Sequence, residues 1–506
     1  MTIAERGATA PAVRRSFRTG HQYKESLNDG RRVWIDGERV ENLATHPVTA
    51  GVVQAHADWY DLHHDRGWDE TLWRLDETGA EVPVCFTVPQ TPEELDKLSE
   101  ALRAAAFLNA GNISHPACWG LLVFAGLWDM LESRGIGERD RIKARLDLVC
   151  REQRFVTAAY TPPQVARFKS EDERVTVRVV EERADGIVVR GGFGIATGAV
   201  YADEVTSSPL PVPGGREDES LFFSFPVNSP GVSMFLRRPA TDSTDGFAYP
   251  LSTRFDEQDV SIFLDDVFIP WERVYVDRDP DIVGLLTQHF SLQILAQLNR
   301  MLARAEFSVG LALAMAESLG TAKIPAVETA LTDIYLHAMT IRTSVTSAVL
   351  DCDMQASGIA SPRQSHMSVG YMYAFENRAH IADLLRNIAG QSLVTAPSAA
   401  SLRKGEDHQH MIDLFGGGDL DAEQRALLWN AVRDHSLTTL EGREQLYTSL
   451  ATGGEFIWRK RIMGGSADSE RMVADALAVI EASGGVPLPV STRLGGSNLK
   501  TDLFVR

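Results

Sequence analysis

The chain has 506 residues, 44% of them hydrophobic and 24% charged, a composition typical of a globular protein with a large core and two or three domains. A formal net charge of -19 argues against nucleic-acid binding, which needs a basic surface. No signal peptide and no apolar run long enough to span a membrane is recognisable, and the four cysteines are widely scattered. We therefore expect a cytoplasmic protein with free thiols and no membrane partner.

The first 151 residues predict a mainly helical domain that carries a short hairpin. Asp36-Gly37 follows the apolar segment 33–35 and predicts the hairpin turn. Thr91, with Pro92 and two glutamates after it, is expected to cap a helix. The segment 112–119 interrupts the helical pattern and predicts a loop beside the apolar helix 121–131.

Residues 152–280 have a different pattern, with β-branched runs separated by glycine and proline turns. This pattern predicts an antiparallel β domain that closes on itself as a small barrel or sandwich. Its most distinctive stretch is 185–205, where Gly191, Gly192, Gly194 and Gly198 interrupt a strand pattern. Such glycines mark bulges or places where backbone closely approaches another group. They do not form a Rossmann phosphate loop, because no helix follows them.

From residue 281 to the end the periodicity is helical, and we expect a bundle of long helices without strands. The segments 285–319, 327–351, 367–388, 422–436 and 472–482 all keep an apolar face. The order helical, β, helical is therefore the predicted architecture.

Common catalytic motifs are absent from the sequence, which contains no Walker loop, no nucleophile elbow and no HExxH zinc motif. The pairs His63-His64 and His408/His410 lack a matching carboxylate or cysteine cluster, so we interpret them as surface histidines and predict no metal site. The acidic run from Asp256 to Asp266 is compatible both with turn and edge residues and with acid-base groups.

Several separated blocks carry a specific resemblance. They are RTGHQYKESLNDGR at 18–31, THP at 45–47, DGIVVRG and ATGA within 185–199, RFDE with DDVFIPWER within 254–273, and EGREQLY at 441–447. In this order they resemble the 4-hydroxyphenylacetate 3-monooxygenase oxygenase-component family. The resemblance implies an α+β, acyl-CoA-dehydrogenase-like fold. Its expected parts are an N-terminal helical domain (1–151), a middle antiparallel β-barrel (152–280) and a C-terminal four-helix bundle (281–506).

The resemblance also implies the activity of a two-component flavin-dependent monooxygenase. In that family a separate flavin reductase supplies FADH2 by diffusion, and O2 reacts with the bound flavin to give a C4a-hydroperoxide that hydroxylates an aromatic compound. The protein's task would be to bind the flavin, exclude water and orient the substrate. The family also forms homotetramers.

The flavin contacts implied by the resemblance lie in three segments. Gln164 and Arg167 match the family segment that contacts the flavin, and Thr197 matches the threonine beside the isoalloxazine ring. The third segment, Thr452-Gly453-Gly454, lies where the family contributes backbone from a neighbouring subunit, although the usual Gly-Asn or Gly-Asp pair is missing there.

The substrate side departs from the family pattern. The positions of the family's phenol-binding Arg, Tyr and His are occupied here by Ser114, Cys118 and Ala158. Three groups that bind or deprotonate a phenol are therefore absent together. This favours an aromatic or heteroaromatic substrate other than 4-hydroxyphenylacetate, one nucleophilic enough to react without a base. His115 is an alternative base, with a purely structural role equally open.

Two other activities remain open at this stage. A dehydratase of the same fold family carries an iron-sulfur cluster, but Ser114 and Ala296 stand where that enzyme has cysteines, while Cys118 and His289 remain. An acyl-CoA-dehydrogenase-like oxidoreductase would need a carboxylate base in the bundle. Glu423 and Glu441 are the candidates, and we expect both to lie on helix surfaces.

Overall fold

The fold was analysed in a computed structural model, which describes residues 17–76, 78–164, 170, 173–208, 216–285, 290–450, 455, 458–459, 462 and 467–484. The predicted flavin contacts Arg167, Thr452, Gly453 and Gly454 lie outside these residues, as does His289. No helix within the described ranges combines the length and the hydrophobicity needed to cross a membrane.

Helices and two short hairpins form the region before residue 153. The helices are α1 (Gly20–Ser26), α2 (Ala50–Leu62), α3 (Asp69–Leu72), α4 (Pro92–Phe107), α5 (Trp119–Arg134) and α6 (Arg139–Glu152). The hairpins are β1 (Val33–Ile35) with β2 (Glu38–Arg39), and β3 (Trp73–Leu75) with β4 (Glu81–Pro83). As predicted, the Thr91 hydroxyl caps α4 by accepting a bond from the Glu94 amide. Asp36 and Gly37 form the first hairpin turn with positive φ angles of 49° and 84°.

The middle of the chain is built mainly from strands. They are β5 (Val156–Ala159), β6 (Arg178–Arg183), β7 (Gly186–Thr197), β8 (Glu204–Ser207), β9 (Phe222–Pro226), β10 (Val232–Leu236), β11 (Asp259–Pro270) and β12 (Val274–Val276). A short helix, α7 (Ser252–Phe255), precedes β11. The glycine-rich stretch thus forms the long strand β7, and Gly198 ends it with a φ of 71°.

These strands form two open sheets and not the predicted closed barrel. The larger sheet has the order β2-β1-β10-β11-β7-β6, the smaller has the order β12-β9-β8-β5, and neither closes on itself within the described ranges. Within residues 152–280 the strands pair in the predicted antiparallel way, except that β5 pairs with β8 in parallel. The N-terminal strand β1 also pairs with β10 in parallel. The N-terminal hairpin becomes the edge of the larger sheet, a long-range pairing that local sequence does not specify.

The two faces of the larger sheet differ in character. On β11, Val260, Ile262 and Leu264 are buried toward the core, while the alternating residues Asp259, Ser261 and Phe263 point to the other side, here called the outer face. A bulge on β7 places both Gly194 and Ile195 opposite Ser261, so Ile195 and Thr197 also lie on the outer face. Asp259 pairs directly with Thr197 across the sheet.

Long helices dominate the region after residue 280. They are α8 (Pro280–Leu285), α9 (Ser291–Ser318), α10 (Pro325–Leu350), α11 (Gln364–Ala389), α12 (Ser392–Thr395), α13 (Ala399–Arg403), α14 (His408–Phe415), α15 (Ala422–Ser436), α16 (Thr439–Leu450) and α17 (Ala467–Gly484). The helices α9, α10, α11 and α15 pack together. The expectation of no strands is wrong, since β13 (Asp353–Met354) and β14 (Ala360–Ser361) form a small hairpin between α10 and α11. The three-domain boundaries at 152 and 281 remain a prediction.

Candidate active site

The loop 112–119 is held in place chiefly through its backbone. The amides of Ser114 and His115 donate to the two carboxylate oxygens of Glu257, at 2.8 and 3.1 Å, and the Ser114 hydroxyl bonds the same carboxylate. The Gln297 side chain donates to the Ser114 carbonyl at 3.0 Å. Glu257 is completely buried. Glu257 and Gln297 therefore hold the Ser114–His115 peptide from its two sides, because its N–H and its carbonyl point in opposite directions.

His115 lies at the centre of a buried polar cluster. Its Nδ1 is 2.8 Å from the Thr157 hydroxyl and 3.0 Å from the Thr197 carbonyl, while its Nε2 is 3.2 Å from the Tyr447 hydroxyl. The ring also stacks on Trp119, with centroids 4.3 Å apart. The fold therefore brings two residues of the predicted site, His115 and Thr197, into direct contact.

The neighbours of His115 determine its tautomer. A carbonyl can only accept, so Nδ1 carries the proton and Nε2 accepts from the Tyr447 hydroxyl. Burial, together with the positive charge of Arg443, lowers the pKa of His115 to about 3. His115 is thus a neutral imidazole whose two nitrogens are both bonded within the chain. This arrangement favours a positioning role over the predicted role as replacement base.

Thr197 connects this cluster to the outer face of the larger sheet. Its hydroxyl donates to Asp259 Oδ1 at 3.0 Å, and its carbonyl accepts from the Thr157 hydroxyl at 2.6 Å. Arg443 holds Asp259 through two bonds of 3.0 and 3.1 Å. Thr157 was missed by the sequence analysis because nothing in its local pattern distinguishes it from an ordinary strand residue.

A network of buried ion pairs lies behind this site. On α9, Arg300 donates to Glu444 at 2.6 Å, and Arg304 is paired with Glu441. On α16, Arg443 bonds Glu444 at 2.5 Å. These carboxylates and guanidinium groups are at most 16% exposed, so the expectation that Glu441 lies on a helix surface is wrong.

A signal for this network is present in the sequence. Arg300 and Arg304 are charged residues one turn apart inside a mainly apolar helix, and Glu441 and Glu444 are three residues apart on another. Charges within apolar helices are buried only when they are paired. The other predicted carboxylate, Glu423, is exposed and paired with Arg403.

The residues of the acidic run from Asp256 to Asp266 lie in two different environments. Asp256 and Asp259 both bind Arg237, and Asp256 is nearly completely buried. Asp266 is half exposed and paired with Arg190. The run therefore contains both a buried ion cluster and an ordinary edge residue.

Cys118 lies beside Cys85, and both side chains are buried. The neighbouring Cys118 thiol and His63 lower the pKa of Cys85, while the Cys85 thiol and burial raise the pKa of Cys118. The interpretation of His63 as a surface residue is wrong, because its side chain is completely buried; His64, His408 and His410 are exposed.

The predicted substrate-side residues lie in a tightly packed region. Ser114, Cys118 and Ala158 are all buried, with Ala158 on β5 directly after Thr157. The cavity beside Ser114, lined also by Pro116, Ala296 and Arg300, has a volume of about 30 Å³, room for about two water molecules. The assignment of these residues to a substrate wall remains a prediction.

The outer face offers an apolar surface with polar groups at its ends. Ile195, Phe235 and Phe263 are 39%, 45% and 37% exposed there. Thr161 pairs with Ile195 in an antiparallel bridge, so the exposed Gln164 lies on one side of the bridge and Thr197 on the other. Gln164 is three residues from Thr161, and Thr197 is two residues from Ile195. Five residues of extended chain place Gln164 and Thr197 about 17 Å apart.

The outer face fits a flavin through its apolar surface and the polar groups at its two ends. An apolar platform that ends in a hydroxyl at one side and an amide at the other matches the flat ring system and polar edge of that cofactor. Within the described part of the chain, no group of three or more His, Cys, Asp or Glu side chains is arranged to hold a metal ion.

The glycines in and just after β7 allow other segments of the chain to approach closely. A Cβ on Gly191 would lie 2.4 Å from the Thr176 carbonyl oxygen, and one on Gly194 would lie 2.9 Å from Pro163 Cα. A Cβ on Gly198 would approach Glu257 Oε1 to 3.3 Å. The close approach expected at these positions is present, and the groups that approach are other segments of the same chain.

Two family models together match most of the sequence. The model described as "4-hydroxyphenylacetate 3-hydroxylase N terminal" matches residues 19–276, and that described as "4-hydroxyphenylacetate 3-hydroxylase C terminal" matches residues 285–477. The chain belongs to the 4-hydroxyphenylacetate 3-hydroxylase family. The family resemblance predicted from the five sequence blocks is thereby confirmed.

Two relatives illustrate this family. The FADH2-dependent monooxygenase TftD of Burkholderia cepacia is 28% identical, with 85% of this chain and 86% of the relative covered. The oxygenase component of the 4-nitrophenol 4-monooxygenase/4-nitrocatechol 2-monooxygenase of Rhodococcus opacus is also 28% identical, covering 85% and 84%.

A solved family structure has the same fold. The oxygenase component of 4-hydroxyphenylacetate 3-monooxygenase, complexed with FAD and 4-hydroxyphenylacetate, superposes with a TM-score of 0.84. The two chains are 26% identical, and the match covers 92% of this chain and all of the other. The helix-rich α+β fold of the 4-hydroxyphenylacetate 3-hydroxylase family is thus shared along nearly the whole chain.

Proposed function

We propose that this protein is the oxygenase component of a two-component flavin-dependent monooxygenase that hydroxylates an aromatic or heteroaromatic small molecule. The cofactor is FADH2 supplied by a separate flavin reductase, and the co-substrate is O2. The observation that carries the proposal is the outer face of β7 and β11, an apolar platform that ends at Thr197, in a chain of this family. Reduced flavin supplies the electrons and the activation of O2.

The chain's own residues then have distinct tasks. Gln164 and Thr197 bind the flavin from opposite ends of the platform, and Arg167 and Thr452–Gly454 add the remaining contacts implied by the family. The Thr157–His115–Tyr447 chain of hydrogen bonds fixes the position of the Thr197 backbone. Close packing around the loop 112–119 excludes bulk water from that end of the site.

The substrate is an aromatic compound other than 4-hydroxyphenylacetate. Ser114, Cys118 and Ala158 provide no charged group, and the raised pKa of Cys118 keeps its thiol neutral. His115 is neutral and fully bonded, so it provides no free base for a phenol. A substrate atom that is nucleophilic without deprotonation is compatible with this surface.

Oxygen labelling tests the proposal. The protein is incubated with a flavin reductase, NADH, FAD and 18O2, together with a panel of indoles, anilines, pyrroles and phenols. We expect one labelled oxygen atom in the product of at least one heteroaromatic or amine substrate, and no product when the reductase is omitted. Label that comes from water, or product formed without O2, would exclude a monooxygenase.

The same samples test the two other activities. A dehydratase would contain iron and change its substrate by the elements of water, although Ser114 and Ala296 replace two of the expected cluster ligands. An acyl-CoA-dehydrogenase-like enzyme would retain oxidised FAD and need a free carboxylate base. Glu441 is buried in an ion pair with Arg304, and Glu423 is paired with Arg403, so neither is such a base.

We also propose a homotetramer. In support, α10 exposes Tyr335, Leu336 and Met339, and α16 exposes Leu446 and Leu450, which are large apolar side chains that a further subunit would cover. Sedimentation equilibrium should give four times the mass of one chain. A single-chain mass at micromolar concentration would refute this assembly.

A further inference from the structure

The hydrogen-bonding capacity of Thr197 is almost fully used within the chain. Its hydroxyl proton is donated to Asp259 Oδ1 at 3.0 Å, and its carbonyl accepts from Thr157 and His115. A hydroxyl has one proton and two lone pairs. What Thr197 still offers to a ligand on the outer face is therefore a lone pair, which makes the hydroxyl an acceptor only.

Asp259 fixes this orientation because it stays ionised. Arg443 donates to both of its carboxylate oxygens, and Arg237 donates to Oδ2 at 3.1 Å. Burial by itself would raise the pKa of Asp259, but the two arginines and the Thr197 bond lower it to about 2. A carboxylate has no proton to give, so Thr197 cannot accept from Asp259 and cannot reverse its own bond.

The two redox states of a flavin differ in what they present to such an acceptor. Oxidised flavin carries a bare lone pair at N5. Addition of two electrons and two protons places hydrogens on N5 and N1, so the reduced ring presents an N–H donor at N5. For a flavin bound with N5 at the Thr197 hydroxyl, the reduced form would donate to Thr197, whereas the oxidised form would set one lone pair against another.

We infer that Asp259 is a positioning residue that makes Thr197 an obligate acceptor and thereby makes the site prefer FADH2 over FAD. The inference rests on the proposed function, in which flavin binds on the outer face beside Thr197. It also explains a requirement of a diffusing cofactor: the reduced form must bind, and the oxidised form must leave after turnover. The Arg237–Asp259–Arg443 cluster provides the rigid support.

The first test compares two substitutions of Thr197. The dissociation constant of FAD is measured by fluorescence titration, and that of FADH2 by the same method under anaerobic conditions. In Thr197→Val, which keeps the shape but lacks the hydroxyl, the ratio Kd(FAD)/Kd(FADH2) should fall about tenfold, as expected for the loss of one hydrogen bond. In Thr197→Ser, which keeps the hydroxyl, the ratio should be retained. An unchanged ratio in Thr197→Val would overturn the inference.

A tenfold change in this ratio shifts the two-electron potential of the bound flavin by about 30 mV. The potential is an independent readout that does not depend on turnover. It should fall to lower values for flavin bound to Thr197→Val than for flavin bound to the unchanged protein, because the reduced form loses the stronger stabilisation.

The second test replaces the positioning residue. In Asp259→Asn the amide can donate to Thr197, which frees the hydroxyl proton for the ligand, so the ratio should again fall about tenfold. The effect should be absent when Asp259→Asn is made in the Thr197→Val background, because the hydroxyl is then missing. If Asp259 acted through its charge alone, its removal would favour anionic reduced flavin and the ratio would rise in both backgrounds. That result would contradict the inference.

These outcomes separate the inference from the proposed function. If the protein binds neither form of the flavin, both are wrong. If it binds flavin and transfers labelled oxygen while Thr197→Val leaves the ratio unchanged, only the inference is wrong. The substitutions Thr197→Val and Thr197→Ser leave the ion pairs of Asp259 intact, so the first test stands even if Asp259→Asn does not fold.

Discussion

Two regions meet at His115, the buried ion network behind Thr197 and the loop 112–119, and they are held in place by different interactions. Behind Thr197 lies a buried ion network from three parts of the chain, with Asp259 on β11, Arg300 on α9, and Arg443 and Glu444 on α16. The loop 112–119 opposite has no acidic or cationic side chain of its own. It is held by the backbone amides of Ser114 and His115, which donate to Glu257, and by the Asn112 side chain, which accepts from Arg304.

This difference explains which positions follow the family pattern. Each charged group of the network needs its partner, because an unpaired buried charge is costly, so these residues can change only together. A backbone amide is present whatever the side chain. The loop can therefore keep its position with Ser114 and Cys118 where the resemblance predicts the family's Arg and Tyr. The proposed flavin side is fixed by charge, and the proposed substrate side is free to vary.

The largest effect is expected when the charged side loses its central cation. Arg443→Met should lower the free energy of unfolding by about 3–5 kcal/mol, because Asp259, Glu444 and Glu257 are left without their shared partner. The matched control is Arg403→Met, which removes an exposed pair with Glu423 and should leave the free energy of unfolding nearly unchanged. Equal effects in urea denaturation would mean that burial does not distinguish the two arginines.

An intermediate effect is expected at the glycines of β7. Gly191 has a φ of 137°, and a Cβ there would clash with Thr176, so Gly191→Ala should destabilise by about 3 kcal/mol through strain and overpacking. Gly310 lies within α9 with nothing near its Cβ position, so Gly310→Ala should stabilise by up to about 1 kcal/mol. The signs of the two melting-temperature shifts are the decisive measurement.

The third and smallest effect is expected at His115, where it appears as a change in the slope of the unfolding free energy against pH. Its pKa lies below the unfolded value of 6.5, so the unfolded state binds more protons between about pH 3 and 6.5. Stability should therefore rise with pH across this window and decline as the pH falls. Replacement by glutamine should reduce this slope by up to about 1.4 kcal/mol per pH unit.

The control for this experiment is the exposed histidine His21. His21→Gln should leave the slope of unfolding free energy against pH nearly unchanged. If His115→Gln also leaves it unchanged, the imidazole is not held in its neutral form by burial.

Local sequence was a reliable guide to local structure and to the family. The Thr91 cap, the Asp36-Gly37 turn and the long helices α9 and α15 lie where their patterns predict them. These features depend on residues within one or two turns of each other, so the sequence contains the information they need. The family was recognisable for another reason, since its motifs stand in a fixed order along the chain.

The fold brings together only some of the predicted site residues, and the contacts between them depend on distant segments. His115 and Thr197 do meet, but the residues that join them, Thr157, Gln297 and Tyr447, come from three distant segments. Their roles depend on which segments pack together, and neither periodicity nor a short motif contains that information.

By itself the sequence determined the broad succession of helical, strand-rich and helical regions, the Asp36-Gly37 turn and the family membership. Only the tertiary structure decided that two open sheets form in place of a barrel, that Glu441 and His63 are buried, and that the glycines of β7 make room for Thr176 and Pro163. The physical reason is that burial and close approach are properties of long-range packing. A charged or small residue has its energetic meaning only once its neighbours in space are known.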